Sequence, residues 1–116
     1  MRLREKKIVV MGDRDFVNIF RSIGIRECYV VNVKEDKKAI KDTLLEVIKN
    51  KNIGLIILME DLEDIVKDII EEYKFQLMPL IVFLPSIKGS RIRDVSEYYT
   101  QLFKRTLGIS VSLGGA

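Results

Sequence analysis

The sequence predicts an α/β fold, a single doubly wound domain built on a four-stranded parallel sheet. Four short apolar runs alternate with longer segments in which apolar residues recur at helical spacing. The runs are apolar on both faces, which is typical of strands buried within a parallel sheet. Short connections between them favour helices packed on both faces of that sheet. A chain of 116 residues has room for one such domain.

The first unit is a strand from Ile8 to Met11 and the helix that follows it. Gly12 ends the apolar run, and Asp13 and Asp15 stand where the helix begins. A carboxylate there can accept hydrogen bonds from the first free backbone N–H groups. We expect Gly24 to be the C-cap of this helix. Its apolar positions are Phe16, Ile19, Phe20 and Ile23.

Two further units follow in the same pattern. The second strand is expected from about Cys28 to Val33, and a charged turn leads from it into a helix that ends near Asn50. The third strand, Ile53 to Met59, is the most apolar, and Asp61 is expected to cap the helix after it. The apolar stripes of the two helices are Ile40, Leu44, Val47 and Ile48, and then Leu62, Ile65, Val66, Ile69, Ile70 and Tyr73.

The fourth strand, Leu80 to Leu84, is bounded by Pro79 and Pro85. Proline is tolerated at strand ends because a missing N–H matters little there. The most economical doubly wound arrangement of the four strands is the order 2-1-3-4. This order places the first and third strands side by side, so their carboxyl ends meet at one edge of the sheet.

The end of the sequence is expected to differ from the α/β body of residues 1–87. Residues 88–116 comprise a hinge at Gly89, an amphipathic helix from Ile92 to Leu107, and a tail. The helix either packs on the sheet of its own domain or partly engages another protein, since amphipathic helices commonly bind in hydrophobic grooves. Both alternatives are open from the sequence.

Composition excludes several kinds of chemistry. Apolar residues make up 47% and charged residues 32% of the chain, which indicates a globular protein without a transmembrane segment or signal peptide. The absence of histidine excludes histidine bases, Ser–His and Cys–His pairs, and His-ligated zinc. Cys28 is the single cysteine, so we expect an unreactive buried thiol in a reducing cytosol. Twenty basic and 17 acidic residues are interleaved without a nucleic-acid-binding motif, so no nucleic-acid partner is expected.

Carboxylates at the expected carboxyl edge of the sheet are the one group that suggests catalysis. Asp13 and Asp15 would face Glu60 and Asp61, with Lys88 following the neighbouring fourth strand. Such a cluster suits Mg²⁺ and resembles the acidic pocket of a response-regulator receiver. The favoured alternative is that the aspartates cap helices and complement their dipoles. Because glycine-rich phosphate motifs are absent as well, we expect no cofactor and no metal.

Several motifs occur in order along nearly the whole chain, from Lys7 to about Val111. They are Gly12-Asp13 with Asp15, Phe20-Arg21, Gly24-Ile25, Gly54 to Leu58 with Glu60, Pro79 to Pro85 with Gly89, Arg93 to Val95, and Leu107 to Ile109. Together they resemble the F subunit of the vacuolar/archaeal-type (V-type/A-type) rotary ATPases. The resemblance implies a receiver-like or Rossmann-like fold.

The resemblance also implies a function. It implies a non-catalytic central-stalk subunit of an ion-translocating ATPase or ATP synthase, on the cytoplasmic side of the membrane and not inserted in it. The implied partners are the coiled-coil central-shaft subunit, known as the D subunit, and the catalytic hexamer through the C-terminal helix. The residues we expect at the partner contact are Ile87, Arg91, Arg93, Tyr99, Phe103 and Arg105. The rival hypothesis is a receiver-like signalling domain that responds to Mg²⁺ and phosphate.

Overall fold

Four parallel strands form the sheet in the part of the chain that the computed structural model describes, namely residues 6–34 and 37–86 and positions 97 and 101. The strands are β1 (Lys7–Gly12), β2 (Glu27–Val30), β3 (Ile53–Met59) and β4 (Leu80–Leu84). Their order in the sheet is β2-β1-β3-β4, and every neighbouring pair is parallel. The predicted α/β class and strand order are therefore confirmed.

Three described helices connect these strands. They are α1 (Arg14–Ser22), α2 (Lys37–Lys49) and α3 (Glu63–Tyr73), and a short 3-10 helix, Glu60–Leu62, precedes α3. The chain reverses its direction across the sheet at β2, so right-handed crossovers place α1 on one face and α2 and α3 on the other. In agreement with this placement, the Lys41 ammonium of α2 lies 3.2 Å from the Asp68 carboxylate of α3.

The core lies on both faces of the two central strands. Every residue of β3 is buried, because β3 lies between β1 and β4 and is covered above and below. Fully burying one large aliphatic or aromatic side chain contributes about 1.5–3 kcal/mol, so this strand and the helix stripes dominate the stability. The predicted stripes of α1 and α2 are buried throughout, and that of α3 is buried or partly buried.

The C-cap residue of α1 is Ile23, and Gly24, which was predicted at that position, is the next residue and ends the helix. The Gly24 N–H donates to the carbonyl of Arg21 at 3.1 Å, and the Ile25 N–H donates to the carbonyl of Phe20 at 3.1 Å. This pair of bonds is the Schellman motif, which satisfies two of the last free carbonyls of a helix. Gly24 has φ +103°, a conformation that residues with a Cβ rarely adopt, so glycine is required at this turn.

The second strand is shorter than predicted and ends three residues before Val33. Its described neighbour, β1, ends at Gly12, which is paired with the last residue of β2. The Val31 N–H makes one more bond, to the Gly12 carbonyl at 2.8 Å. The Asn32 side chain then accepts a hydrogen bond from the Lys34 N–H at 3.0 Å, which turns the chain away from the sheet.

The predicted N-cap at Asp61 is wrong. Asp61 lies inside the 3-10 helix, and the N-cap residue of α3 is Leu62, which makes no side-chain capping bond. The extra turn moves the start of α3 to Glu63, and Asp64 joins Glu63 in placing negative charge in the first turn. The Asp61 carboxylate instead accepts a hydrogen bond from the Ser86 hydroxyl at 3.3 Å.

The predicted C-terminal helix falls almost entirely outside the described residues. Only positions 97 and 101 of it are described, so the proposed division into a body of residues 1–87 and an extension of residues 88–116 stays a prediction. None of the helices in the described ranges combines the length and the apolar composition needed to cross a membrane.

Candidate functional site

The predicted carboxylates do lie at the carboxyl edge of the sheet. Asp13 and Asp15 follow β1, and Glu60 and Asp61 follow its neighbour β3. Asp13 is partly buried, and the other three carboxylates are exposed. Within residues 6–34 and 37–86, no three cysteine or carboxylate side chains are arranged to share a metal ion. The topology thus brings the strand ends together without gathering the carboxylates into a metal site.

Asp13 is the N-cap of α1. Its Oδ1 accepts a hydrogen bond from the Phe16 N–H at 2.9 Å, and its backbone carbonyl accepts one from the Val17 N–H at 3.0 Å. Its backbone is extended, with φ −72° and ψ 175°, which is the usual conformation of an N-cap residue. Asp15 lies in the first helical turn, where its negative charge complements the helix dipole. The favoured capping interpretation is confirmed for Asp13.

Gly12 is closely packed between two side chains at the end of β1. A Cβ on Gly12 would lie 2.5 Å from Cδ2 of Phe16 and 3.0 Å from Cβ of Met59. The Phe16 ring is buried and packs against the Phe20 ring, with centroids 4.9 Å apart at 54°. The Gly12-Asp13 pair is therefore explained by packing and capping: the glycine admits an aromatic ring of the core, and the aspartate begins the helix.

The C-terminal segment starts from the same edge of the sheet. Leu84 at the end of β4 is buried, and Ser86 is tied to Asp61 by the hydrogen bond described above. These contacts fix the point from which the chain continues toward residue 87. The residues predicted to contact a partner, and Lys88, lie outside the described residues: Ile87, Arg91, Arg93, Tyr99, Phe103 and Arg105.

Cys28 has the environment of a structural thiol. It lies in β2 with its side chain partly buried, and its Sγ–H donates to the carbonyl of Ile25 at 3.4 Å. Burial raises the pKa of the Cys28 thiol, and the nearby Arg21 guanidinium opposes this only in part. A thiol with a raised pKa is a poor nucleophile at neutral pH. Catalysis by Cys28 is not supported.

A second surface, which the sequence interpretation missed, lies at the amino edge of the sheet. In the loop between α3 and β4, Phe75 is 89% and Leu77 is 88% exposed to solvent. Beside the loop is a cavity of about 440 Å³, whose lining includes Met78 and Pro79. We call the two exposed side chains and this cavity the amino-edge patch. The sequence signal that could have indicated this surface is the pair Phe75 and Leu77. These large apolar residues lie between the helical stripe that ends at Tyr73 and Pro79, and they belong neither to that stripe nor to the apolar run of the fourth strand.

Comparison with known proteins identifies relatives along most of the chain. Residues 8–102 match the family model described as ATP synthase (F/14-kDa) subunit. The match includes the described sheet except Lys7, the first residue of β1, together with the carboxyl edge and part of the C-terminal segment. It also agrees with the resemblance found from the sequence motifs alone.

Individual relatives come from archaea and bacteria. The F subunit of the A-type ATP synthase of Methanothermobacter thermautotrophicus is 31% identical over 105 residues, which are 90% of this chain and 94% of that protein. The protein of the same name from Thermoplasma acidophilum is 32% identical over 108 residues, 92% of this chain and 96% of that protein. The F subunit of the V-type ATP synthase of Fusobacterium nucleatum is 31% identical over 84 residues, 72% of this chain and 75% of that protein.

Proposed function

Since the chain belongs to the ATP synthase (F/14-kDa) subunit family, we propose that it is a non-catalytic rotor subunit in the central stalk of a V-type or A-type rotary ATPase or ATP synthase. It binds the coiled-coil shaft subunit, the D subunit, and helps to couple or regulate ATP turnover with ion transport. The family match over residues 8–102 carries this proposal. ATP chemistry belongs to the catalytic hexamer, and the chain has no active site of its own.

The carboxyl edge supports a role in presenting the C-terminal segment. Asp13 caps α1, and Asp61 accepts a hydrogen bond from Ser86, so both side chains make structural contacts at the edge of the sheet from which that segment leaves. A segment that follows the buried end of β4, at Leu84, can reach a partner without disturbing the sheet. This arrangement favours a body that carries a contacting segment over a signalling pocket.

The C-terminal segment makes the proposed contact with the shaft. The contact residues are Ile87, Arg91, Arg93, Tyr99, Phe103 and Arg105. Apolar and aromatic side chains supply the buried centre, while the arginines pair with carboxylates of the shaft and fix the register of the complex. Through this contact the chain is held on the cytoplasmic side of the membrane, peripheral to it, and reaches the catalytic hexamer.

Charge reversal at the three arginines tests this proposal. The variant R91E/R93E/R105E is compared with K34E/K38E/K67E, which makes the same change in net charge at exposed lysines of the body. We expect the arginine variant to bind the shaft subunit about tenfold or more weakly and to change the ATPase rate of the assembled complex.

The control variant should bind as the unchanged chain does. Equal affinities for both variants and the unchanged chain would overturn the assignment of these arginines. The measurements are calorimetry with the isolated shaft subunit and ATP hydrolysis by the reconstituted complex.

A further inference from the structure

The amino-edge patch lies at the edge of the sheet opposite to the one from which the C-terminal segment leaves. We propose that this patch is a second docking surface of the body, and that it seats an amphipathic helix whose apolar ridge is flanked by carboxylates. In the proposed complex this helix belongs to the coiled-coil shaft. The inference rests on the proposed function and adds to it a contact that does not involve residues 88–116.

The two exposed side chains are the first observation. Phe75 and Leu77 are the most exposed large apolar residues described, and they are only two positions apart. Scattered apolar residues on a surface are ordinary, but neighbouring ones on a shaped surface mark interaction sites. The loop is held at its start, where the Gln76 N–H donates to the Tyr73 carbonyl at 3.1 Å. The apolar side chains are thus presented from an anchored turn at the end of α3.

The concave shape beside the loop is the second observation. The apolar part of the lining of the larger cavity is formed by Ile48, Ile53, Tyr73, Met78 and Pro79. A smaller cavity of about 240 Å³ adjoins it, lined in part by Ile70, Leu80 and Ile81. Both cavities are lined by Tyr73, Gln76 and Pro79, so the loop borders two adjoining, mainly apolar depressions. A ridge of helix side chains fits such a surface, whereas a lipid bilayer needs no cavity.

The charges around the larger cavity indicate the chemistry of the partner. Its lining includes Lys6, Lys49 and Lys51 and no aspartate or glutamate. The Lys6 ammonium donates to the backbone carbonyl of Lys51 at 2.9 Å, and no carboxylate among the described residues pairs with any of the three. An apolar centre with a polar, solvent-accessible rim is the usual anatomy of a protein interface. The rim here is positive, so the complementary helix carries carboxylates beside its apolar ridge.

Serine substitutions test the apolar centre. F75S/L77S and the control Y29S/V30S, which alters two exposed apolar residues on the edge strand β2, are each titrated by calorimetry with the isolated shaft subunit. We expect F75S/L77S to lower the affinity by about 10- to 100-fold, as loss of a central apolar contact does. The control should stay within about threefold of the unchanged chain. Circular dichroism should show the same folded spectrum and melting behaviour for both variants.

Charge reversal tests the rim. K49E/K51E should weaken binding at low salt, and its difference from the unchanged chain should shrink as salt is raised, because exposed charges are screened. K34E/K38E makes the same change in net charge away from the patch and should have a smaller effect. An equal effect of the two charge variants would show only long-range attraction and would contradict a lysine rim at the contact.

The outcomes separate this inference from the proposed function. If the unchanged chain binds the shaft and F75S/L77S binds equally well, the docking surface is wrong and the rotor assignment stands. If the folded unchanged chain does not bind the shaft, both are wrong. Vesicles of phosphatidylcholine and phosphatidylglycerol serve as the other probe. Loss of vesicle binding by F75S/L77S without loss of shaft binding would assign the patch to a membrane surface and overturn the inference.

Discussion

Replacing Gly12 by alanine tests whether the Gly12-Asp13 pair serves packing at the end of β1. The added methyl group would meet the Phe16 ring at 2.5 Å and Cβ of Met59 at 3.0 Å. Neither neighbour can give way easily, because the ring is buried against Phe20 and the Met59 Cβ is attached directly to the backbone of a buried strand. The substitution is therefore an overpacking of the core.

The expected magnitude follows from two opposing effects. Overpacking a core costs about 1–3 kcal/mol, whereas replacing a glycine of ordinary φ lowers the entropy of the unfolded chain and returns about 0.4–1 kcal/mol. We therefore expect G12A to lower the free energy of unfolding by about 1–2 kcal/mol. With an m value of about 2 kcal/mol/M, the midpoint of urea unfolding should fall by about 0.5–1 M.

A double-mutant cycle makes the test specific to the ring. F16L removes the ring atom that the new methyl group would meet, so G12A should cost at least about 0.5 kcal/mol less in the F16L background. G24A is the matched control: its φ of +103° strains an alanine, but nothing lies within 4 Å of the new Cβ. G24A and F16L should therefore be additive. A G12A variant as stable as the unchanged chain, or an additive G12A/F16L pair, would refute the packing argument.

Three further predictions concern the carboxylates and the thiol. D13A removes the capping hydrogen bond and should lower the free energy of unfolding by about 1 kcal/mol. D15A removes only a charge from the first turn of α1 and should lower it by less than half as much. Both losses are measured by urea unfolding, and equal losses would contradict capping by Asp13. Because the pKa of the Cys28 thiol is raised, little thiolate is present at neutral pH. Alkylation by iodoacetamide should therefore be slower in the folded chain than in urea, and it should accelerate as the pH rises toward that pKa. Equal rates in the folded and unfolded chain would contradict a structural role for this thiol. Millimolar Mg²⁺ with a phosphoryl mimic should leave the amide resonances of Asp13, Asp15 and Glu60 unchanged, whereas saturable shifts there would revive the receiver hypothesis.

Sequence reasoning predicted most where hydrophobic periodicity decides the structure. The bounds of β3 and β4 agree with the prediction, because an uninterrupted apolar run between Asn52 and Glu60, and another between two prolines, leave little choice. Strand order followed from the economy of parallel crossovers. Gly24 was recognisable because a helix that ends in a left-handed residue requires glycine.

Prediction failed where a neighbouring element decides the outcome. The valines after Val30 have strand propensity, but β1 provides no further partner beyond Gly12, and an Asn32 turn follows. Asp61 is a residue type that is common at N-caps, but a 3-10 turn separates β3 from α3. The Asp61 carboxylate accepts a hydrogen bond from the Ser86 hydroxyl instead of capping α3. Neither the early end of β2 nor the 3-10 turn before α3 changes the hydrophobic periodicity of the sequence.

The Asp13 cap and the amino-edge patch also differ in whether the sequence could predict them. Capping by Asp13 was predictable because it depends on residues three positions apart in the chain. The amino-edge patch was not, because the α3–β4 loop, the end of α2 and the residues before β1 and β3 meet only in the folded domain.

Titration of the full chain against the isolated coiled-coil shaft subunit is the first test of the proposed rotor subunit. We expect saturable binding at a one-to-one ratio and co-elution of the two proteins as a single complex. No heat of binding and separate elution, with both proteins folded by circular dichroism, would contradict it.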